Sequence, residues 1–184
     1  MIKKISTVFF MLLLSASVFA QKNKPVAPVL PMDAEGKLVV YTGVVEETGI
    51  MKSELFKRAQ LWTKEFYPSA TAVQSADTTA MKIICKGKFD CKREVKGSQP
   101  VTSDRIIYTL TISFKDMKYK YEVSNILVQG STSTSIEKYF DDADPKAEDH
   151  FNSLTQVDEN IIALVNSLKT RMDKPSVVEK KDEW

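Results

Sequence analysis

The chain has 184 residues, with 26 Lys and Arg against 24 Asp and Glu, one His and two Cys, and a formal charge of +2. That length suits one domain with a sizeable core, and the near-zero charge supplies no general attraction for nucleic acid or an anionic membrane. One His and a single Cys pair make a poor zinc site, and no Walker loop, dinucleotide fingerprint, CxxC or HExxH motif occurs.

Lys3 and Lys4 precede the apolar run Val8 to Leu14, and Val18, Phe19 and Ala20 come just before Gln21. This is the pattern of a secretory signal peptide over residues 1–20, and its apolar run is too short to span a bilayer. The sequence therefore predicts cleavage near Ala20 and Gln21 and an exported, soluble chain, periplasmic or secreted, with no transmembrane segment. Neither cysteine stands directly after the cleavage point, where a lipid-modified cysteine would be needed, so no lipid anchor is expected. Two basic residues, Lys3 and Lys4, lie in the signal peptide, which leaves 24 basic against 24 acidic side chains in the mature chain. Residues 21–31, with Pro25, Pro28 and Pro31, read as an extended leader, residues 32–173 as one domain and residues 174–184 as a charged, flexible tail.

Lys37 to Glu46 is rich in β-branched residues and predicts a strand with apolar groups on both faces. A helix follows over Met51 to Phe66, with Leu55, Ala59, Trp62 and Phe66 at helical spacing, Lys57, Arg58, Lys64 and Glu65 elsewhere, and Pro68 as its stop. Trp62 is expected in the core. A short strand fits Thr71 to Ser75.

Three segments then alternate with period two. Met81, Ile83, Cys85, Phe89 and Cys91 share one face, opposed by Lys82, Lys86 and Lys88. Ile106, Tyr108, Leu110, Ile112 and Phe114 oppose Thr109, Thr111 and Ser113. Tyr119, Tyr121, Val123 and Leu127 oppose Lys118, Lys120 and Glu122. A two-residue turn at Asp116 and Met117 would pair Phe114 with Tyr119, Ile112 with Tyr121, Leu110 with Val123 and Ile106 with Leu127, so that both apolar sets meet on one face. Ile136, Tyr139 and Phe140 suggest a helical turn. A long helix over Pro145 to Met172 carries Phe151, Leu154, Val157, Ile161, Leu164, Val165 and Leu168 in one stripe. The order β-α-β-β-β-β-α gives an α+β two-layer sandwich, an antiparallel sheet with two helices on one face.

The tracts KLVVYTGVVE, KSELFKRAQLW, MKIICKGKF, IIYTLTISFKDMKYKYEVSN and IEKYF, ahead of the terminal amphipathic helix, resemble a Bacteroidetes family of exported proteins. It is known as a domain of unknown function with a TATA-binding-protein-like (TBP-like) fold. The resemblance spans roughly Pro31 to Met172 and implies a curved antiparallel sheet with helices on one side. It carries no activity and no site residues. Where the family pattern has Asp-Gly at the hairpin this chain has Asp116-Met117, which predicts a wider or bulged turn, because Met is unfavourable at positive φ.

Lys82, Lys86, Lys88, Lys118 and Lys120, with Thr109 and Thr111 between them, form the candidate binding face, suited to an anionic glycan, a lipid headgroup or an acidic partner. Solvated lysines that keep a sheet soluble explain the same pattern. The acidic run Asp141, Asp142, Asp144, Glu148 and Asp149 lacks the glycine and terminal glutamate of a calcium loop, since Ala147 and Ser153 take those positions. His150 reads as an exposed or capping residue, with no G-x-S-x-G nucleophile to serve. Glu46 and Glu47 fall on opposite strand faces and cannot act as a glycosidase pair. Cys85 and Cys91 lie roughly 20 Å apart along an extended strand, beyond disulfide reach unless the chain folds back at Gly87. No catalytic, cofactor or metal residue is assigned and no cofactor is expected. The expected function is an exported, non-catalytic domain that binds an envelope protein, a glycan or a small ligand, and no nucleic acid. The alternative is a structural or assembly role in the cell envelope, with an unrecognised enzyme behind it.

Overall fold

The computed structural model describes residues 26–177. The expected signal peptide, the first part of the leader and the end of the tail lie outside the described residues. Within them, one antiparallel sheet is built from β1 (Tyr41–Glu46), β2 (Val73–Asp77), β3 (Lys82–Arg93), β4 (Val101–Lys115), β5 (Lys118–Val128) and β6 (Thr134–Ser135). The spatial order is β1-β5-β4-β3-β2, and β6 pairs with the end of β5 beyond β1. Helices α1 (Lys52–Phe66) and α2 (Ala147–Met172) pack on the apolar face, giving the α+β layering that the alternation predicts.

The first strand starts later than its β-branched run. Asp33 accepts hydrogen bonds from the Lys37 and Leu38 N–H groups, which folds the chain back so that Met32 bridges Val39 and Val40 donates to the Pro31 carbonyl. This turn carries Leu30, read as part of an extended leader, into the core at 5% exposure. Within β1, Tyr41 and Val45 face the helices while Val44 faces outward.

On α1 the buried stripe is Leu55, Phe56, Ala59 and Trp62, and Phe56 meets Phe114 edge to face at 5.5 Å between ring centroids. Phe66, expected in that stripe, stacks on Trp62 but stays partly exposed. Arg58, expected outside it, is buried because α2 runs alongside. Its guanidinium donates to Glu54 and to the Met172 carbonyl at the end of α2. The stripe of α2 is the predicted one, with Phe151, Leu154, Val157, Ile161, Leu164, Val165 and Leu168 all buried.

The β4–β5 hairpin keeps the predicted register from Phe114↔Tyr119 through Leu110↔Val123. Its turn is tight rather than wide: Lys115 pairs with Lys118, and Met117 takes φ +63°. The β1–α1 loop holds this strained residue, since Met117 N–H donates to the Ile50 carbonyl and its carbonyl accepts from Glu47 N–H. Asp116 in turn accepts from Lys52 N–H and caps the first turn of α1, whose own N-cap residue Met51 supplies no side chain.

Beyond Val123 the predicted register fails. Asn125 adopts φ +51° and the pairing shifts by one between Ile107 and Thr109, so Ile106 faces Val128 instead of Leu127. The extra residue of this bulge reverses the alternation: Ile126 enters the core and Leu127 moves to the open face.

Candidate functional site

The open face is best described by the rows that run across it. Lys82 lies opposite Ser113, and Ser113 opposite Lys120, which faces Val44. Next come Ile84, Thr111, Glu122 and Thr42, then Lys86, Thr109 and Ser124, then Lys88, Ile107 and Leu127, and then Asp90 with Arg105. All seven candidate residues therefore share this surface, as the period-two pattern requires.

They do not share one electrostatic environment. Near the hairpin end, Lys118 lies 3.7 Å from Glu46 and Lys120 lies 3.0 Å from Glu122. Lys82 faces Asp77, whose carboxyl is held below its ordinary range by the Ala80 and Thr79 N–H groups, with a smaller effect of Lys82 itself. At the other end Arg105 takes Asp90 in a two-pronged contact at 2.7 and 3.2 Å, which lowers the Asp90 carboxyl. Lys86 and Lys88 lie between these ends, and among the described residues neither has a carboxylate within ion-pair distance, the charge of Lys88 making only a smaller contribution to the lowering of the Asp90 carboxyl.

These two lysines flank a groove of about 670 Å³. Pro68, Ser69, Thr71 and Ala72 line it from the segment that links α1 to β2, Ile107 and Thr109 from β4, and Asn125 and Leu127 from β5. Tyr67 and Tyr108 also line it, their hydroxyls 3.4 Å apart, and burial raises the pKa of both phenols so that they stay neutral. The lining contains no carboxylate, imidazole or thiol. It offers two cations, hydroxyl and amide groups and an apolar wall, which suits binding of an anionic group rather than bond making. The structure thus brings Lys86, Lys88 and Thr109 together and leaves Lys82, Thr111, Lys118 and Lys120 outside the groove. Asn125, Leu127 and the Pro68–Ala72 wall are the lining residues that alternation alone does not reveal. The tolerance of Asn for positive φ was the one local hint of the bulge that places two of them.

Other sequence features resolve into structure. His150 is neither exposed nor capping: its ring stacks on Tyr139 at 4.0 Å and is partly buried. The Tyr139 hydroxyl and the Ser153 hydroxyl both donate to Asp104, tying the 3₁₀ turn Ile136–Phe140, α2 and β4 together. Asp141 and Asp144 accept from the N–H groups of Ala143 and Lys146, forming the turns that lead into α2. Among the described residues no three His, Cys, Asp or Glu side chains gather as a metal site, and no helix is long and apolar enough to cross a membrane. Cys85 and Cys91 are buried free thiols, and burial pushes each to about 12.

Residues 41–129 match the family described as a domain of unknown function (DUF4468) with TBP-like fold. A TBP-like protein from Parabacteroides distasonis superimposes with a TM-score of 0.64 at 17% identity, over 79% of this chain and 97% of that one. A DUF4468 family protein from Bacteroides ovatus superimposes with a TM-score of 0.63 at 12% identity, over 81% of this chain and 93% of that one. No curated protein matches the chain in sequence. The family resemblance read from the strand and aromatic pattern is borne out, and so is the fold.

Proposed function

We propose that this chain, which carries a TBP-like domain of the DUF4468 type, is an exported, non-catalytic module that binds an anionic ligand through the groove between Lys86 and Lys88. The observation that carries the reading is the pair of lysines with no carboxylate within ion-pair distance beside a concave, partly apolar lining, while Arg105, Lys118 and Lys120 on the same face each have one. A lysine kept in water needs no concave neighbour. One placed at the rim of a groove gives an incoming carboxylate, sulfate or phosphate a charge to meet and a surface to bury. The signal-peptide pattern over residues 1–20 supports export to the periplasm or beyond it, where acidic glycans supply such groups.

The test is retention of the purified protein on immobilised polygalacturonate at low and high salt. Wild type is expected to be held at low salt and released by high salt, because the contact is electrostatic and partly solvated. Lys86→Glu with Lys88→Glu should abolish retention, while Lys120→Glu, which alters a lysine already paired with Glu122, should leave most of it. Equal losses in both variants would overturn the groove as the site, and salt-insensitive retention would overturn its electrostatic basis.

A further inference from the structure

Each edge of a sheet offers unpaired backbone groups, and folded proteins usually protect them. On one side, β2 is short and its pairing to β3 is interrupted between Val73 and Ser75. Beyond β2, the bare stretch of β3 carries Lys86, Lys88, Lys92 and Arg93, and Gln156 of α2 bonds both the N–H and the carbonyl of Lys92. The opposite edge, β1, is also short, but it has neither the interrupted pairing nor the basic side chains and the covering glutamine. Its sequence Tyr-Thr-Gly-Val-Val-Glu contains no Lys and no Pro, its register with β5 is unbroken, and Val44 is 59% exposed.

Two hydrogen bonds fix which backbone groups point off this edge. Glu47 N–H donates inward to the Met117 carbonyl at 2.7 Å, in register with the β1–β5 pairs, whereas Val40 N–H donates outward to Pro31 at 3.1 Å. Alternation along the strand then directs the N–H and carbonyl groups of Thr42, Val44 and Glu46 away from β5. The free span is bounded at one end by Pro31 and Met32, which cover the edge up to Val40, and at the other by the turn at Thr48 and Gly49, where the chain leaves the sheet.

We propose that β1 pairs with β1 of a second copy of this chain, antiparallel and centred on Val44. That register matches the free span to itself: Val44 meets Val44, and Thr42 meets Glu46 on either side, each pair exchanging two hydrogen bonds. The copy's Pro31 then lies opposite Thr48, where the strand has already turned away. The exposed Val44 side chains cover one another, and each Glu46 arrives with Lys118 of its own chain beside it at 3.7 Å, so no unpaired carboxylate is buried. Opposed residues of an antiparallel pair share a face, so the two open faces lie side by side in one continuous sheet.

Sedimentation of the purified protein should show a concentration-dependent dimer. Val44→Pro should remain folded, since the Val44 N–H serves no bond to β5 and an edge strand accepts Pro there, and it should sediment as a monomer. Val44→Lys, which guards the edge without touching the backbone, should do the same. Val44→Cys should cross-link to its own copy on mild oxidation, because residues opposed across such a pair have Cα atoms about 5.5 Å apart, within disulfide reach. Val45→Cys should not. A wild type that stays monomeric to millimolar concentration overturns the proposal, as does a Val44→Lys protein that melts like wild type and still dimerises.

Discussion

Gly87 lies opposite Tyr108 in the β3–β4 ladder, and the phenol ring of Tyr108 lies across it where a side chain would stand. Gly43 and Tyr121 repeat the arrangement between β1 and β5. In both places the missing Cβ is what lets a large aromatic fold down onto the sheet. In β3 this seats Tyr108 against Tyr67 and fixes one end of the groove. Gly87→Ala would place a Cβ inside the Tyr108 ring, and relief requires the ring to leave its rotamer. We expect a loss of about 1–3 kcal/mol in chemical denaturation, the usual cost of overpacking a core. In a Tyr108→Ala background the same substitution should cost almost nothing, and a penalty that persisted there would mean the strain is in the backbone. Nothing in the alternation distinguishes Gly87 from a tolerated glycine, because the ring that needs the space comes from another strand.

The helices are tied to each other by polar contacts as well as by their apolar stripes. Glu54 of α1 bonds Arg58 on its own helix and accepts from both the N–H and the hydroxyl of Ser176, just past α2, while Arg58 reaches the Met172 carbonyl. Burial alone would raise the Glu54 carboxyl, but the bonds from Ser176 and Arg58 outweigh it and bring it down to about 2. A carboxyl lower in the folded than in the unfolded chain stabilises the fold above its ordinary pKa near 4.5 and loses that contribution as pH falls toward 2. After allowance for the water that reaches this group, the contribution at neutral pH is about 1–2 kcal/mol. Glu54→Gln should therefore be less stable than wild type at pH 7, and the two should converge as acid protonates the wild-type residue. A gap that stayed constant from neutral pH into acid would show that the contact is not charge-dependent. The sequence placed Glu54 and Arg58 four residues apart on α1, yet the neighbouring strand order and the path of α2 decided that this pair would close the helix layer.

At the scale of the whole molecule, both thiols sit in the same core as Trp62, Ile112 and Leu168, on the covered side of the sheet. Burial keeps them protonated to about pH 12, so neither is nucleophilic in the folded protein. Their reaction with a thiol reagent should require opening of the sheet and helix layers together. We expect both cysteines to be labelled at one rate, and denaturant should accelerate that rate in proportion to global unfolding. Faster labelling of Cys91 would instead show that the β3 end beyond β2 opens on its own.

The sequence alone determined the α+β class, the two helices, the face each strand residue takes up to Val123, and the candidate lysines. These follow from periods of two and 3.6 residues, which each segment carries within itself. Only the tertiary structure decided that Asn125 begins a bulge, that Leu127 faces outward, that Arg58 is buried, and that Lys118 and Lys120 have a carboxylate within ion-pair distance while Lys86 and Lys88 do not. Each of those outcomes depends on which side chains neighbouring elements bring within a few ångströms. Such neighbours are set by strand order and register across the sheet, and no single segment encodes them.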